Sequence, residues 1–423
     1  MLTPKRGVLI DMYNQLRKYC AAEKYDLSVW SYEHAMFEAG VYSPCENRGE
    51  IRLGDHWSTG YDEAHFFRTQ FVVPESMAGK ELRIEIEIGG EALVKVNGNF
   101  NGSVSASKYA PERGTIIIKE RYNAGDVLNI ELEAAVNSME FCDAAMDGAK
   151  STEYTFKTAY IWVVDEACEG YWYDLEVAFQ ALDFIKDEHI YSLVYKAIDD
   201  SLHVVDYDFE EEQVRKSIAA ARKVYGEQLA KIPWSATSSV FFTGHSHIDV
   251  AWLWRVQESI RKSARTFSNV VSLMDKYPEM TFGQSQAVLY DMVKKQYPEL
   301  YEQIKEKVAN NQWDICGNVW VEADTNVASG EALIRQILYG TEFFKKEFGK
   351  VSKTYWLPDC FGFTWALPQI ISRSGMTNFI TSKLSYNDTN KFPFNMFRWQ
   401  GNDGTQVMAH MMHPGYNGVF SVS

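Results

Sequence analysis

The chain has 423 residues, enough for two or three domains, and its 46% apolar and 23% charged content is an ordinary globular balance that can bury large cores. Its 57 acidic residues outnumber 42 basic ones and leave a net charge of −15, which argues against duplex nucleic acid or an anionic membrane surface as a partner. Cysteines at 20, 45, 142, 168, 316 and 360 form no Cys-x-x-Cys pair, so cysteine-ligated zinc has no support and reduced thiols are expected.

The opening Met1-Leu2-Thr3-Pro4-Lys5-Arg6 leads into an amphipathic segment broken by Asp11, Arg17 and Lys18. It lacks the long apolar core of an export signal, and no stretch approaches the ~20 apolar residues of a membrane span. A cytoplasmic protein with no membrane partner is expected.

Residues 8 to 24 predict a helix with Leu9, Met12, Leu16 and Tyr19 on one face. Trp30 to Gly49 reads as irregular and aromatic, so residues 1–50 are expected to form a helical and irregular segment. Period two then takes over. Leu82-Arg83-Ile84-Glu85-Ile86-Glu87-Ile88 alternates as a strand with one wet face does, and Asn97-Gly98 after Val94-Lys95-Val96 is a favoured hairpin turn. Phe67 to Pro74, Thr115 to Ile118 and Val127 to Leu132 add strands, so residues 51–170 predict a β-sandwich. Residues 171–236 switch to helical periodicity. There Glu210-Glu211-Glu212 suits a solvated helix start, and Ile232-Pro233-Trp234-Ser235 reads as a linker.

From 237 to 423 strands and helices alternate, which predicts a parallel sheet of an α/β domain, β/α-barrel-like and incomplete. The apolar run Ser239-Val240-Phe241-Phe242 reads as a buried strand, and the polar string Thr243 to Trp254 begins where it stops. Further strands are expected at Met280–Gln284, Trp313–Trp320, Lys353–Pro358 and Asn378–Ser382. Helices are expected at 286–309 with a break at Pro298, at 330–348 and at 365–374. His247 and Asp249, Gln284, Glu322 and Asp324, Asp359 and Lys383 all follow expected strand ends, the edge where β/α folds assemble their sites.

In an extended backbone residues i and i+2 share a side, so His247 and Asp249 can aim at one point while Ile248 turns away. An imidazole nitrogen and a carboxylate oxygen meeting there suit a borderline cation such as zinc. Trp252 and Trp254 offer flat rings against which a sugar can pack. Asp359, set in Leu357-Pro358-Asp359-Cys360-Phe361-Gly362, could serve as a nucleophile, a metal ligand or both. Lys383 could hold it ionised, although a surface lysine is an equally plain reading. Taken singly, each motif is more often structural than functional.

Together His247-Ile248-Asp249, Trp252, Trp313 to Asn326 and Leu357 to Gly362 strongly resemble glycoside hydrolase family 38, the zinc-dependent retaining α-mannosidases. The resemblance covers about 237 to 415, and the region ahead of it resembles the N-terminal extension of bacterial and vacuolar-type members. It implies Zn2+ held by His247, Asp249 and Asp359, with Asp359 also the nucleophile. It places Trp252 under the mannose and Phe361 beside it, Lys383 near the nucleophile, and Glu322 and Asp324 in an acidic stretch close by. The implied substrate is a terminal α-mannoside or mannose-containing oligosaccharide, and homo-oligomers are in keeping with the family. A fourth zinc ligand, a histidine, and the general acid are expected beyond Ser423, because His410 and His413 lie outside the family's histidine motif. Asp388 and Asp403 read as turn residues. The chain is therefore expected to be an N-terminal portion that binds zinc weakly and turns over poorly. Three other readings stay open: a hydrolase of a phosphorylated mannosyl-glycerate with Lys383 or Arg398 in a basic subsite, a metal-dependent deacetylase, and a non-catalytic mannose-binding remnant.

Overall fold

The computed structural model describes residues 3–105, 114–137, 149–233, 239–412 and 416. The helix Thr3–Leu16 and a short turn to Tyr19 open the chain. The helix expected to reach 24 stops sooner because Ala21–Asp26 is a strand paired with Thr158–Val164. The stretch expected to be irregular is also β: Val29–Glu38 pairs with Glu46–Arg52 on one side and with Glu63–Val72 on the other. The sandwich thus begins well before residue 51. Aromatic residues of mixed spacing carry no local period, and partners in neighbouring strands of the sheet decide the conformation.

One sandwich sheet runs Ala21–Asp26, Thr158–Val164, Leu82–Glu87, Thr115–Ile117. The other carries Val29–Glu38, Glu63–Val72, Val127–Ala135, Glu91–Val96 and Asn99–Ser105 side by side. Their inner faces bury Trp30, Phe67, Ile84, Ile86, Ile130 and Ile161 in one core. The Asn97-Gly98 hairpin forms as expected, with φ of 50° and 81°, and the favourable twist of such turns matches that of the flanking strands.

The helices Glu166–Leu182, Glu188–Leu202 and Glu211–Leu229 pack with the opening helix around Leu9, Tyr171, Ile198 and Ile218. Glu210, Glu211 and Glu212 are exposed at the start of the third. Ile232 and Pro233 close the segment, while Trp234 and Ser235 lie outside the described residues.

Beyond it lie two short parallel sheets. Gly244–His245, Phe282–Gln284 and Trp313–Ile315 form one. In the other, Thr354–Trp356 and Gln406–Met411 run parallel to Asn378–Thr381, and Met396–Gln400 adds an antiparallel edge. The Asn318 side chain bridges them: its Nδ2 donates to Ser352 O at 2.7 Å and its Oδ1 accepts from Ser352 N at 2.8 Å. The helix broken at Pro298 and the helix Gly330–Phe348 fall where expected. The run Val240-Phe241-Phe242 does not: it is 70%, 94% and 62% exposed rather than a buried strand, since pairing starts only at Gly244. The strand expected over Trp313–Trp320 ends at Ile315 because Gly317 turns the backbone to a φ of +69°. No helix among the described residues is long and apolar enough to cross a membrane.

The sandwich and the α/β region meet along the helix Val256–Lys276, which lies on Glu91–Val96 and Asn99–Ser105. Ser103 N donates to Asn269 Oδ1 at 2.7 Å, and Gly102 N to Ser268 Oγ at 2.8 Å. A Cβ on Gly102 would stand 2.7 Å from Asn269 Oδ1, so a glycine is needed at this approach. Beside it is a buried ion network. Glu258, fully buried, accepts from Arg261 at 2.7 Å and Arg265 at 2.5 Å, and Glu91 accepts from Lys262 at 3.0 Å and Arg265 at 2.8 Å. Removing one charge from such a network strands its partners, at a cost of about 3–5 kcal/mol. Glu258→Gln is expected to lower the urea midpoint of the chain markedly, whereas Glu212→Gln on the solvated helix start leaves it in place.

Candidate active site

His247 and Asp249 follow the Gly244–His245 strand, and Ile248 between them turns inward and is 5% exposed, as i, i+2 geometry requires. The side chain of His247 is 8% exposed. Its Nε2 stands 3.3 Å from Asp249 Oδ1 and 3.7 Å from Asp359 Oδ2, while its Nδ1 faces Glu322 Oε2 at 3.3 Å. Burial works against charge on this ring, but Asp249 and Glu322 outweigh it and lift its pKa to about 10.

Glu322 is fixed in turn. Ser285 Oγ donates to it at 2.5 Å, and its backbone N–H donates to Gln286 Oε1 at 3.2 Å. Gln286 Nε2 donates to Ile248 O at 2.8 Å, so one amide side chain ties the two loops together. Gln286 holds a left-handed φ of 65°, a conformation that costs free energy in a residue with a Cβ and recurs near functional sites. The sequence reading left Glu322 without an individual role; here it orients His247. Asp324 stands apart, exposed, with its Oδ1 accepting from Asn326 N at 2.8 Å in a local turn.

Asp359 follows the strand Thr354–Trp356. Lys383 Nζ lies 2.9 Å from its Oδ1, and the Tyr416 hydroxyl also bonds to the carboxylate. The Lys383 side chain is 5% exposed, and its ammonium sits 4.1 Å from the Tyr386 ring, 4.0 Å from Tyr416 and 4.9 Å from Phe361. That aromatic enclosure replaces the surface-lysine reading. Tyr416 was not singled out from sequence; its only signal is that it follows another parallel strand, Gln406–Met411.

Trp252 and Phe361 are 56% and 73% exposed beside this cluster. Phe361, Phe363, Lys383, Tyr386 and Trp399 line a cleft of about 440 Å³. Trp254 is held more firmly, donating to Ser259 Oγ at 3.0 Å. His245 is no ligand. Its Nδ1 donates to Gly283 O at 2.8 Å, its Nε2 accepts from the Trp356 indole at 3.3 Å, and burial lowers its pKa.

A cation fits the central cluster. His247, Asp249 and Asp359 each present one ligand atom within 4.8 Å of the others. The atoms that converge are His247 Nε2, Asp249 Oδ1 and Asp359 Oδ2, while His247 Nδ1 and Asp359 Oδ1 face Glu322 and Lys383. Two ligands about 2.0–2.1 Å from a tetrahedral ion stand about 3.4 Å apart, close to the separations around His247 Nε2. Among the described residues the expected fourth ligand has no counterpart in this cluster. His410 sits in the Gln406–Met411 strand, and His413 lies outside the described residues.

A carboxylate paired with a buried lysine thus lies next to a histidine–carboxylate cluster and open aromatic rings. Residues 237–419 match the glycosyl hydrolases family 38 N-terminal domain, and residues 18–162 match the alpha-mannosidase jelly roll domain. The chain thus carries a family 38 N-terminal domain behind an alpha-mannosidase jelly roll domain. It is 48% identical over 195 residues to alpha-mannosidase G of Dictyostelium discoideum, covering 46% of this chain and 18% of that protein. Alpha-mannosidase 2C1 of Mus musculus is 33% identical over 372 residues, covering 86% of this chain and 35% of that protein. An alpha-mannosidase of Saccharomyces cerevisiae is 40% identical over 196 residues, 46% of this chain and 18% of its own length. The chain spans about a third or less of the length of these relatives.

The jelly roll reaches the loop that carries Asp249 and Trp252. Tyr61 Oη donates to Leu253 O at 3.2 Å, Ala39 N donates to Gln257 Oε1 at 3.2 Å, and Asp62 accepts from both Arg255 and Gln257. Asp62→Ala releases two of these ties at once. Amide exchange across 250–255 is then expected to speed up by about tenfold, as the loss of one or two hydrogen bonds would allow, with the helix Pro298–Ala309 unchanged.

Proposed function

We propose that this domain is the catalytic half of a retaining, zinc-dependent α-mannosidase acting on terminal α-mannosides, and that its two short parallel sheets are arcs of one β/α barrel. The observation that carries the reading is the meeting of His247, Asp249, Asp359 and Lys383 at the carboxyl ends of parallel strands, within the region that matches family 38.

His247, Asp249 and Asp359 would hold the ion. A bound zinc would hold sugar hydroxyls and favour the charge redistribution at the anomeric carbon. Asp359 is the nucleophile. Its carboxylate oxygen forms a bond to the anomeric carbon while the bond to the leaving oxygen breaks, and the leaving oxygen takes a proton from an acid. Water then attacks the same carbon and gives a proton back to the acid of the first step while the bond to Asp359 breaks, so mannose leaves with its configuration retained. Lys383 and Tyr416 keep the free carboxylate aimed before the first step and receive it again after the second. Trp252 and Phe361 give the apolar face of the sugar something to rest on.

The acid comes from outside this cluster. Asp388 is exposed in a turn, and Asp403 is exposed in the hairpin turn where it accepts from Thr405 N at 3.0 Å. A phosphorylated substrate loses its support, because Lys383 is committed to Asp359 and Arg398 lies exposed on an edge strand.

Hydrolysis of an aryl α-mannoside tests the reading. Zinc is expected to raise the rate, a chelator to abolish it, and Asp359→Asn to lower it by about a thousandfold or more. Turnover indifferent to both chelator and Asp359→Asn would rule it out.

A further inference from the structure

A second histidine cluster lies in the jelly roll, away from the sugar site. His34 on Val29–Glu38 is the register partner of His65 on Glu63–Val72, so the two side chains share one face of the sheet. Glu63, two residues before His65, projects from that same face. The three present ligand atoms within 4.8 Å of one another.

Both imidazoles address one carboxylate oxygen. His65 Nε2 stands 3.4 Å and His34 Nε2 3.6 Å from Glu63 Oε2. His65 is 1% exposed, yet its Nε2 makes no well-formed hydrogen bond. A buried imidazole nitrogen left unpaired is costly. One divalent ion would answer both nitrogens and the oxygen together. The separations are close to the ~3.4 Å between ligands of a tetrahedral zinc, and similar to those around His247.

The outer partners suit such a role. The Tyr32 hydroxyl lies 3.0 Å from His65 Nδ1 and can accept its proton, which leaves the Nε2 lone pair pointing at the cluster. Trp57 packs edge-on against the His65 ring with centroids 4.9 Å apart and fixes its plane. On the open side the side chains of His34 and Glu63 are 15% and 29% exposed, which leaves an entry path and room for water as a fourth ligand. Two cations oppose the ion: the Arg48 guanidinium lies 3.5 Å from His34 Nδ1, although it also pairs with Glu46 at 2.8 Å, and the buried Arg261, which pairs with Glu258, acts on His65 from the helix side.

We propose that His34, Glu63 and His65 form a second metal site, taking a borderline first-row divalent ion such as zinc through two imidazole nitrogens and one carboxylate oxygen. The role it supports is structural. The ion would pin two strands of the sheet directly beside Tyr61 and Asp62, which hold the sugar-site loop. The Glu63 carbonyl accepts from Arg261 at 2.7 Å, in the helix that follows that loop. The site is complete within the jelly roll and does not depend on the mannosidase reading.

The test uses the full chain with its first cluster disabled, His247→Gln with Asp249→Asn, and titrates it with zinc by calorimetry and with cobalt by visible absorption. One equivalent of zinc is expected to bind and to raise the melting temperature, and cobalt is expected to give the intense bands of a tetrahedral centre. Adding His34→Ala or Glu63→Gln, both on the accessible side of the cluster, should weaken zinc at least tenfold while the circular dichroism spectrum stays unchanged. Arg48→Ala should tighten it several-fold. A folded chain that binds no zinc with the first cluster disabled, or zinc binding that survives both His34→Ala and Glu63→Gln, would overturn the proposal.

Discussion

The active site depends on the orientation of one imidazole. His247 can address Asp249 and Asp359 with Nε2 only because Glu322 faces its Nδ1, and Glu322 stays there because Ser285 and Gln286 hold it. A carboxylate behind a ligating histidine fixes the tautomer and raises the basicity of the other nitrogen. Here that chain of contacts starts from three parallel strands and ends at one point. The left-handed Gln286 stores strain in the same place, and its side chain offsets that strain by joining the 248 and 322 loops. On the opposite side the Lys383–Asp359 pair is enclosed by Phe361, Tyr386 and Tyr416. Burial makes that attraction stronger than it would be in water, so the Asp359 carboxylate has one position rather than many.

The jelly roll is more than an attached module. Its strands pack Leu93 and Phe100 against the helix Val256–Lys276, and its Glu91 enters the ion network around Glu258 and Arg265. Buried ion pairs contribute little net stability, because desolvation offsets most of the attraction; they select one alignment over its neighbours. Alignment is what this junction requires. A shift of the helix along the sheet would carry Arg255 and Gln257 away from Asp62 and move the loop bearing Asp249 and Trp252. The position of the loop at the α/β edge is thereby conditioned by a turn of the sandwich.

Much of this was legible in the sequence wherever the signal was local. Strict alternation in Leu82 to Ile88, the Asn97-Gly98 turn and the break at Pro298 depend on near neighbours, and each is where the pattern puts it. The site residues were legible for a different reason. His247, Glu322, Asp359 and Lys383 each follow a strand, and parallel topology brings such ends together. What stayed hidden needs distant partners. Trp30 to Gly49 becomes sheet through pairings that no period announces. Val240 to Phe242 has the composition of a buried strand but no described strand beside it. Lys383 is buried only because three aromatic rings from separate segments close over it, and Tyr61, Asp62 and Tyr416 acquire meaning only across the fold.

Covalent trapping with a fluorinated mannoside, whose glycosyl-enzyme form hydrolyses slowly, addresses the role of Asp359 most directly. Incubation with zinc followed by peptide mass spectrometry is expected to find one fluoromannosyl group on the peptide carrying Asp359, and none in the chain with Asp359→Asn. A label on a different carboxylate, or release of mannose with no covalent adduct at Asp359, would contradict the assignment of this aspartate as the nucleophile.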